Sequence, residues 1–553
     1  MTTPTAGGPP QEPTASSSMP AVQRGLLASA ALIAVVTVVA RVIGFGRWLA
    51  FSGGVGSNAV GAAYSTANLL PNVLYEVVAG GALAGAVVPL LAGPLARHDR
   101  ADLNRIVSAL IGWVLVVLVP MSVVLALLAG PLSKVLVEEG TPGQRELVAR
   151  MVAVFAPQVA LYGIGVVLTG VLTAQRRFFW PAAAPLFSSV VVIGAYLVFG
   201  ALVTGDPTPQ NLPGAAEAWL AWGTTAGVAV MTLPLLIPAY RTGIRIRPTL
   251  SFPPGVARRG LGLAAAGISA LLAQQASLVV VLLLANHLGP EGDGTINVYQ
   301  YAQAVYVLPY AVLAVPLATS AFPRLAEKAS TGDDEGFAAT AASSTRLVVL
   351  VSLFGTAVLG GTSVAVGEFF GAIDASGGSD ALASMGSALF VMAWGLTGFA
   401  LIAHIGRALY ARERGRAAAV ATSLGWLVVI AGSVIGALTT SVVTGLAWGN
   451  TAGMTVAGVL LVLALRRVAG PASTRGLARL VLLAGASAVV AAVAGREAGF
   501  VLLDGHSASV GRALPAGVLA AVVSAGVFGV LLAVLDRKNL GMLAGRIIRR
   551  NKP

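Results

Sequence analysis

Long apolar runs recur along almost the whole chain, and short polar segments punctuate them. The first runs from Gly25 to Phe51. Others follow at roughly 59–92, 104–129, 149–173, 181–204, 216–239, 260–287, 295–323, 344–368, 382–408, 416–437, 441–465, 476–495 and 513–535. About 20 apolar residues wound into a helix cross a ~30 Å hydrocarbon core. The pattern therefore predicts fourteen transmembrane helices and no soluble domain of any size. The second and eighth runs are over-long for one straight span. They carry internal prolines, Pro71 and Pro89 in one and Pro309, Pro316 and Pro323 in the other. Proline removes a helical hydrogen bond and clashes with the preceding turn, so both are expected to be bent or broken.

Charge tests this count. Cytoplasmic loops of membrane proteins carry the excess of Lys and Arg. With the N-terminus inside, 28 of the 35 basic residues fall on inside segments and five on outside segments, leaving Arg41 and Arg47. Four outside loops, 51–58, 205–215, 288–294 and 369–381, hold no Lys or Arg at all. One missed span would exchange the two sides for everything downstream. The split thus supports fourteen spans with both termini in the cytoplasm.

Composition narrows the chemistry. The chain is 56% apolar and 10% charged, against about 25% charged for a soluble domain. The net charge of +13 follows from topology and does not point to nucleic acid. There is no cysteine, and the four histidines are scattered, so no thiol chemistry and no metal or cofactor site is expected. No GxxxxGK[ST] occurs, so transport is not powered by an ATPase within this chain. Residues 1–23 open on a Pro/Ser/Thr/Gly-rich tail expected to be disordered, and 537–553 form a basic cytoplasmic tail.

Arg41 and Arg47 stand inside or at the end of the first apolar run. A charge at membrane depth is costly and usually faces a wet cavity or a partner. The planar guanidinium fork suits phosphate oxygens. Snorkelling to headgroups is the competing reading, above all for Arg47. Gly44 and Gly46 are expected to loosen the helix and let both arginines turn inward. In the second run Asn68, Asn72 and Glu76 recur every four residues and form one polar stripe, expected to face the cavity. Glu76 either pairs with an arginine in the empty cavity or acts as a switch. Tyr75 and Trp48 are candidate sugar platforms or interfacial anchors. Gln300 and Gln303 share a face in the eighth run, as hydrogen-bonding groups between helices or toward substrate. Residues 49–91 also echo residues 284–325: each has a Gly-rich outside loop, a tyrosine, a Leu-Pro and a second proline. Such repeats are common in transporters and place the binding site at their interface.

With Ala40-Arg41-Val42-Ile43-Gly44-Phe45-Gly46-Arg47, Leu70-Pro71-Asn72, and Gly81-Ala82 running to Val88-Pro89, the chain resembles the MurJ/MviN family, in its actinobacterial branch. These are lipid II flippases of the MOP exporter superfamily. The resemblance implies an all-α polytopic membrane protein with 14 transmembrane helices. It implies an N-lobe at 24–240 (helices 1–6), a C-lobe at 241–470 (helices 7–12), and helices 13–14 at 471–536 as a groove for the lipid tail. It maps Arg41, Arg47 and Asn72 onto the family's residues in a cavity between the lobes, and it implies a place in the bacterial plasma membrane. With the polar and aromatic candidates above, the expected substrate site is Arg41, Arg47, Asn68, Asn72, Tyr75, Glu76 and Gln303. The chain departs from the well-studied branch at Trp48, Tyr75 and Gln303-Ala304, where that branch has an acid, an arginine and Asp-Arg.

The expected function is alternating-access transfer of lipid II, or a similar polyprenyl diphosphate glycolipid, from inner to outer leaflet. No covalent chemistry is involved, and the membrane potential or an ion gradient supplies the energy. The alternatives are an exporter of another polyprenyl-linked glycan or of small molecules, and a non-transporting scaffold for cell-wall synthesis proteins. Membrane lipids are expected partners; nucleic acid is not.

Overall fold

The structure, a computed structural model, describes residues 21–77, 84–138, 141–205, 207–253, 268–504 and 508–535. Most of the two expected tails lies outside these residues. Among the described residues the chain is all-helical, and its one β-type contact is an isolated bridge between Asn58 and Asp293.

The first bundle comprises α1 (Ala21–Gly54), α2 (Ala59–Tyr75), α3 (Ala84–Ala96), α4 (Arg100–Leu127), α5 (Ala129–Leu136), α6 (Gln144–Phe155), α7 (Gln158–Ala174), α8 (Phe179–Leu202), α9 (Gly214–Thr232) and α10 (Leu236–Arg241). The second comprises α11 (Ile268–Leu288), α12 (Thr295–Pro309), α13 (Val315–Ser330), α14 (Asp334–Ile373), α15 (Asp380–Ala383), α16 (Met385–Ala393), α17 (Leu396–Ala411), α18 (Gly415–Thr439) and α19 (Val442–Ala469). Two last helices, α20 (Leu477–Leu503) and α21 (Val510–Leu535), pack on each other and on α14.

Among the described residues eleven helical stretches are long and apolar enough to cross a membrane, and the bent pair Asp380–Ala393 and Leu396–Ala411 makes a twelfth. These coincide with the third to fourteenth apolar runs of the sequence. The first run lies on α1, and the second is divided between α2 and α3, with residues 78–83 outside the described set. The eighth run is interrupted as its prolines imply: a π-helical turn, Tyr310–Ala314, separates α12 from α13. The 45° bend of the tenth has no proline to announce it. Thr356 of α14 donates its hydroxyl to the Ala393 carbonyl at 2.9 Å, and Thr451 of α19 donates to Val391 at 2.7 Å. Two neighbouring helices thus take up carbonyls that a continuous helix would use itself.

Inside a membrane, helices associate by close packing and small residues allow the closest approach. The sequence draws attention to the glycines of α7 and α14. A backbone seam also runs between α18 and α19, where Gly425, Gly432 and Gly436 face Gly453, Gly449 and Gly445. A Cβ on Gly449 would run into the backbone nitrogen of Ser433. Gly449→Val is therefore expected to destabilise the second bundle by ~1–3 kcal/mol or more, visible as a lower unfolding temperature of the purified protein.

Candidate functional site

Between the bundles lies a cavity of about 1200 Å³. Its walls are α1 and α2 on one side and α12, α13 and the π-helical turn between them on the other. Arg41, Arg47, Asn68 and Asn72 line the first wall, and Gln300 and Gln303 line the second. Among the described lining residues the two arginines are the only charged groups. Most of the rest are apolar, so few lining side chains compete for the two guanidinium groups. No ion pair of either arginine is found among the described residues. Arg47 is half-buried and lines the cavity. The expected loosening at Gly44 and Gly46 is corrected: α1 runs unbroken through both. Open space faces the two glycines, and Gly44 lines the cavity, so its missing side chain leaves the cavity wider.

One end of the cavity is shut by a clasp built from three loops. These are 51–58, 288–294 and 369–381, three of the four loops lacking Lys and Arg. Asp374, 7% exposed, follows the last turn of α14. A carboxylate there opposes the helix dipole, so it needs donors. It has five. Its Oδ2 accepts from Ser52 Oγ at 2.7 Å. Its Oδ1 accepts from Ser57 N at 2.8 Å, Ser57 Oγ at 2.9 Å, Ser376 N at 3.1 Å and Ser376 Oγ at 2.6 Å. Three of these donors come from the first bundle. Backbone bonds reinforce the join, from Ala375 N to Ser52 O at 2.8 Å and from Gly294 N to Ser57 O at 3.0 Å. Asn297 Nδ2 donates to Gly56 O at 3.2 Å. Gly56 has φ +85, and a Cβ there would lie 2.9 Å from Ser376 N, so the close approach requires glycine.

Beneath the clasp is an aromatic layer. Phe51 meets Tyr64 at 5.3 Å, Tyr196 at 5.1 Å and Tyr301 at 6.2 Å between ring centroids. Tyr301 of the second bundle also meets Trp48 at 6.2 Å and stacks on Phe370 at 5.1 Å. At 1.5 Å per residue, Arg47 lies about 8 Å and Arg41 about 16 Å along α1 from Ser52.

The structure thus brings together five of the seven singled-out residues: Arg41, Arg47, Asn68, Asn72 and Gln303. It does not bring in Tyr75 or Glu76. Tyr75 stacks on Tyr162 at 4.6 Å and is not on the cavity wall. Glu76 caps α2 in helical conformation, its N–H bonded to the Asn72 carbonyl, and a π-helical turn begins there; it is not among the residues that line the cavity. No ion pair of Glu76 with either arginine is found among the described residues. Trp48, the other aromatic candidate, does line the cavity. Sequence reasoning missed Asp374, Ser52 and Ser57. The signal available was the Ser/Gly/Asp content of the outside loops that carry no basic residue.

Two helical bundles around a central cavity are the fold seen in solved transporters of the MOP superfamily. The solved structure of the lipid II flippase MurJ in its inward closed conformation superposes with a TM-score of 0.71 at 17% identity, covering 91% of this chain and 99% of that one. An inward-facing multidrug MATE transporter of the same superfamily gives 0.64 at 14% identity, covering 79% and 96%. The sequence profile of the family described as lipid II flippase MurJ matches residues 52–510. The chain belongs to that family. A probable lipid II flippase MurJ from Rhizobium tropici is 26% identical over 387 residues, 68% of this chain and 69% of that protein. The lipid II flippase MurJ of Burkholderia cenocepacia is 26% identical over 319 residues, 55% and 57% of the two chains.

Proposed function

We propose that this protein carries lipid II from the inner to the outer leaflet of the plasma membrane by alternating access, with both termini in the cytoplasm. The observation that carries the reading is the pair of arginines, Arg41 and Arg47, without an ion pair among the described residues, in a largely apolar cavity shut at one end by the Asp374 clasp. An anionic diphosphate headgroup is the ligand such a cavity favours. The clasp joins loops assigned to the outside, so this state offers the cavity to the cytoplasmic leaflet, where the precursor is loaded. The polyprenyl tail stays in the bilayer, and the cavity shields only the polar head. No bond is made or broken.

An inside-negative potential contributes about 2.3 kcal/mol per charge per 100 mV to moving an anion outward, which makes the membrane potential, or an ion gradient set against it, a sufficient source of energy. The test is depletion of the protein followed by measurement of lipid II accessible on the outer leaflet. The expected result is a fall in that pool with accumulation inside. A normal outer pool overturns the proposal.

A further inference from the structure

The two walls of the cavity differ in kind. Both lining charges sit on α1, in the first bundle. The second bundle contributes polar but neutral side chains: Gln300, Gln303, Thr319 and Ser320. Gln300 and Gln303 lie three residues apart on one helical face. Gln303 is held in place: its Nε2 donates to Tyr299 Oη at 3.2 Å, and Tyr299 is 3% exposed. Fixing the amide nitrogen in this way leaves the Gln303 carbonyl oxygen for the cavity. Across from it, Asn72 Nδ2 donates to the Asn68 carbonyl at 2.7 Å. A backbone carbonyl can only accept, so the donor is the amide nitrogen, and the Asn72 oxygen is the free end.

An amide oxygen is a poor ligand for a diphosphate, since both are acceptors. It is a good ligand for hydroxyl and amide N–H groups. A neutral wall facing a cationic wall suits a ligand that is anionic on one side and rich in neutral donors and acceptors on the other. We propose that the cavity is divided by bundle. Arg41 and Arg47 hold the diphosphate, while Gln300 and Gln303, the latter oriented by Tyr299, read the amide-bearing sugar and peptide portion. Gln303 is then a specificity-determining residue, Tyr299 a positioning residue, and the second bundle distinguishes a glycosylated polyprenyl diphosphate from a bare one. This division rests on the transport reading above and adds to it which wall recognises which part of the substrate.

The experiment compares two lipids on the full-length protein in nanodiscs: lipid II, and undecaprenyl diphosphate, which has the tail and diphosphate without sugar or peptide. Gln303→Leu and Gln300→Leu should each weaken lipid II binding about tenfold, the effect of leaving a ligand's polar group unpaired. Binding of undecaprenyl diphosphate should change by less than about twofold. Arg41→Ala should weaken both lipids. Tyr299→Phe keeps Gln303 but unties it, and should weaken lipid II alone by about threefold. It guards against a leucine variant that fails to fold. Equal losses for both lipids in the glutamine variants, or no loss for either, overturn the division. Wild-type protein that binds neither lipid overturns the transport reading as well.

Discussion

Arg41→Ala is expected to abolish rescue of a strain depleted of this protein while leaving the yield and unfolding temperature of the purified chain unchanged. Arg41 is exposed to the cavity, and its side chain has no ion pair among the described residues whose loss would weaken the fold. What it offers is a charge-assisted, two-pronged contact for phosphate oxygens. Such a bond contributes about 1.5–3 kcal/mol, so lipid II binding should weaken by roughly 10- to 150-fold. Among the described lining residues only Arg47 remains as a cation to compensate. Arg41→Lys should recover part of the binding, because the charge stays and the planar fork goes. Full rescue by the alanine variant would instead mean that the protein acts as a scaffold.

The second large effect belongs to Asp374. Asp374→Ala removes the acceptor of five hydrogen bonds and leaves the Ser57 and Ser376 N–H groups without it. Losing a hydrogen-bonded buried charge from a closed state costs ~2–3 kcal/mol. The ratio of clasped to unclasped molecules should fall roughly 30- to 150-fold. The chain has no cysteine, so Ala304→Cys, on the cavity wall, supplies a sole thiol for measuring this. A membrane-impermeant maleimide added outside should label it slowly in the parent and at least tenfold faster with Asp374→Ala. Unchanged labelling in a folded variant would show that the clasp does not hold this end shut.

Much of this arrangement is legible in the sequence because a bilayer imposes simple rules. Apolar run length sets the spans, and the Lys and Arg distribution sorts the loops. The three loops that meet in the clasp are among the four without basic residues. The echo between residues 49–91 and 284–325 also has a physical counterpart, since its two Gly-rich loops touch through the Asn58–Asp293 bridge. Local pattern fails where another helix decides the outcome. The bend before Leu396 comes from hydroxyls on Thr356 and Thr451, far away in sequence. Glu76 extends a four-residue stripe on paper, yet it is not among the residues that line the cavity. Asp374 looks like an ordinary loop acid until the fold surrounds it with serines from the other bundle.

The composition of the clasp has a consequence for the medium in which it works. Its carboxylate is held by serine hydroxyls and backbone N–H groups, with no Lys or Arg in any of the three loops. Exposed ion pairs are screened as dissolved salt rises, with a Debye length of about 10 Å at 0.1 M. Short hydrogen bonds to a 7% exposed carboxylate are not weakened in that way. A cell envelope meets wide swings in external ionic strength. A closure made of neutral donors is therefore expected to keep its strength through them.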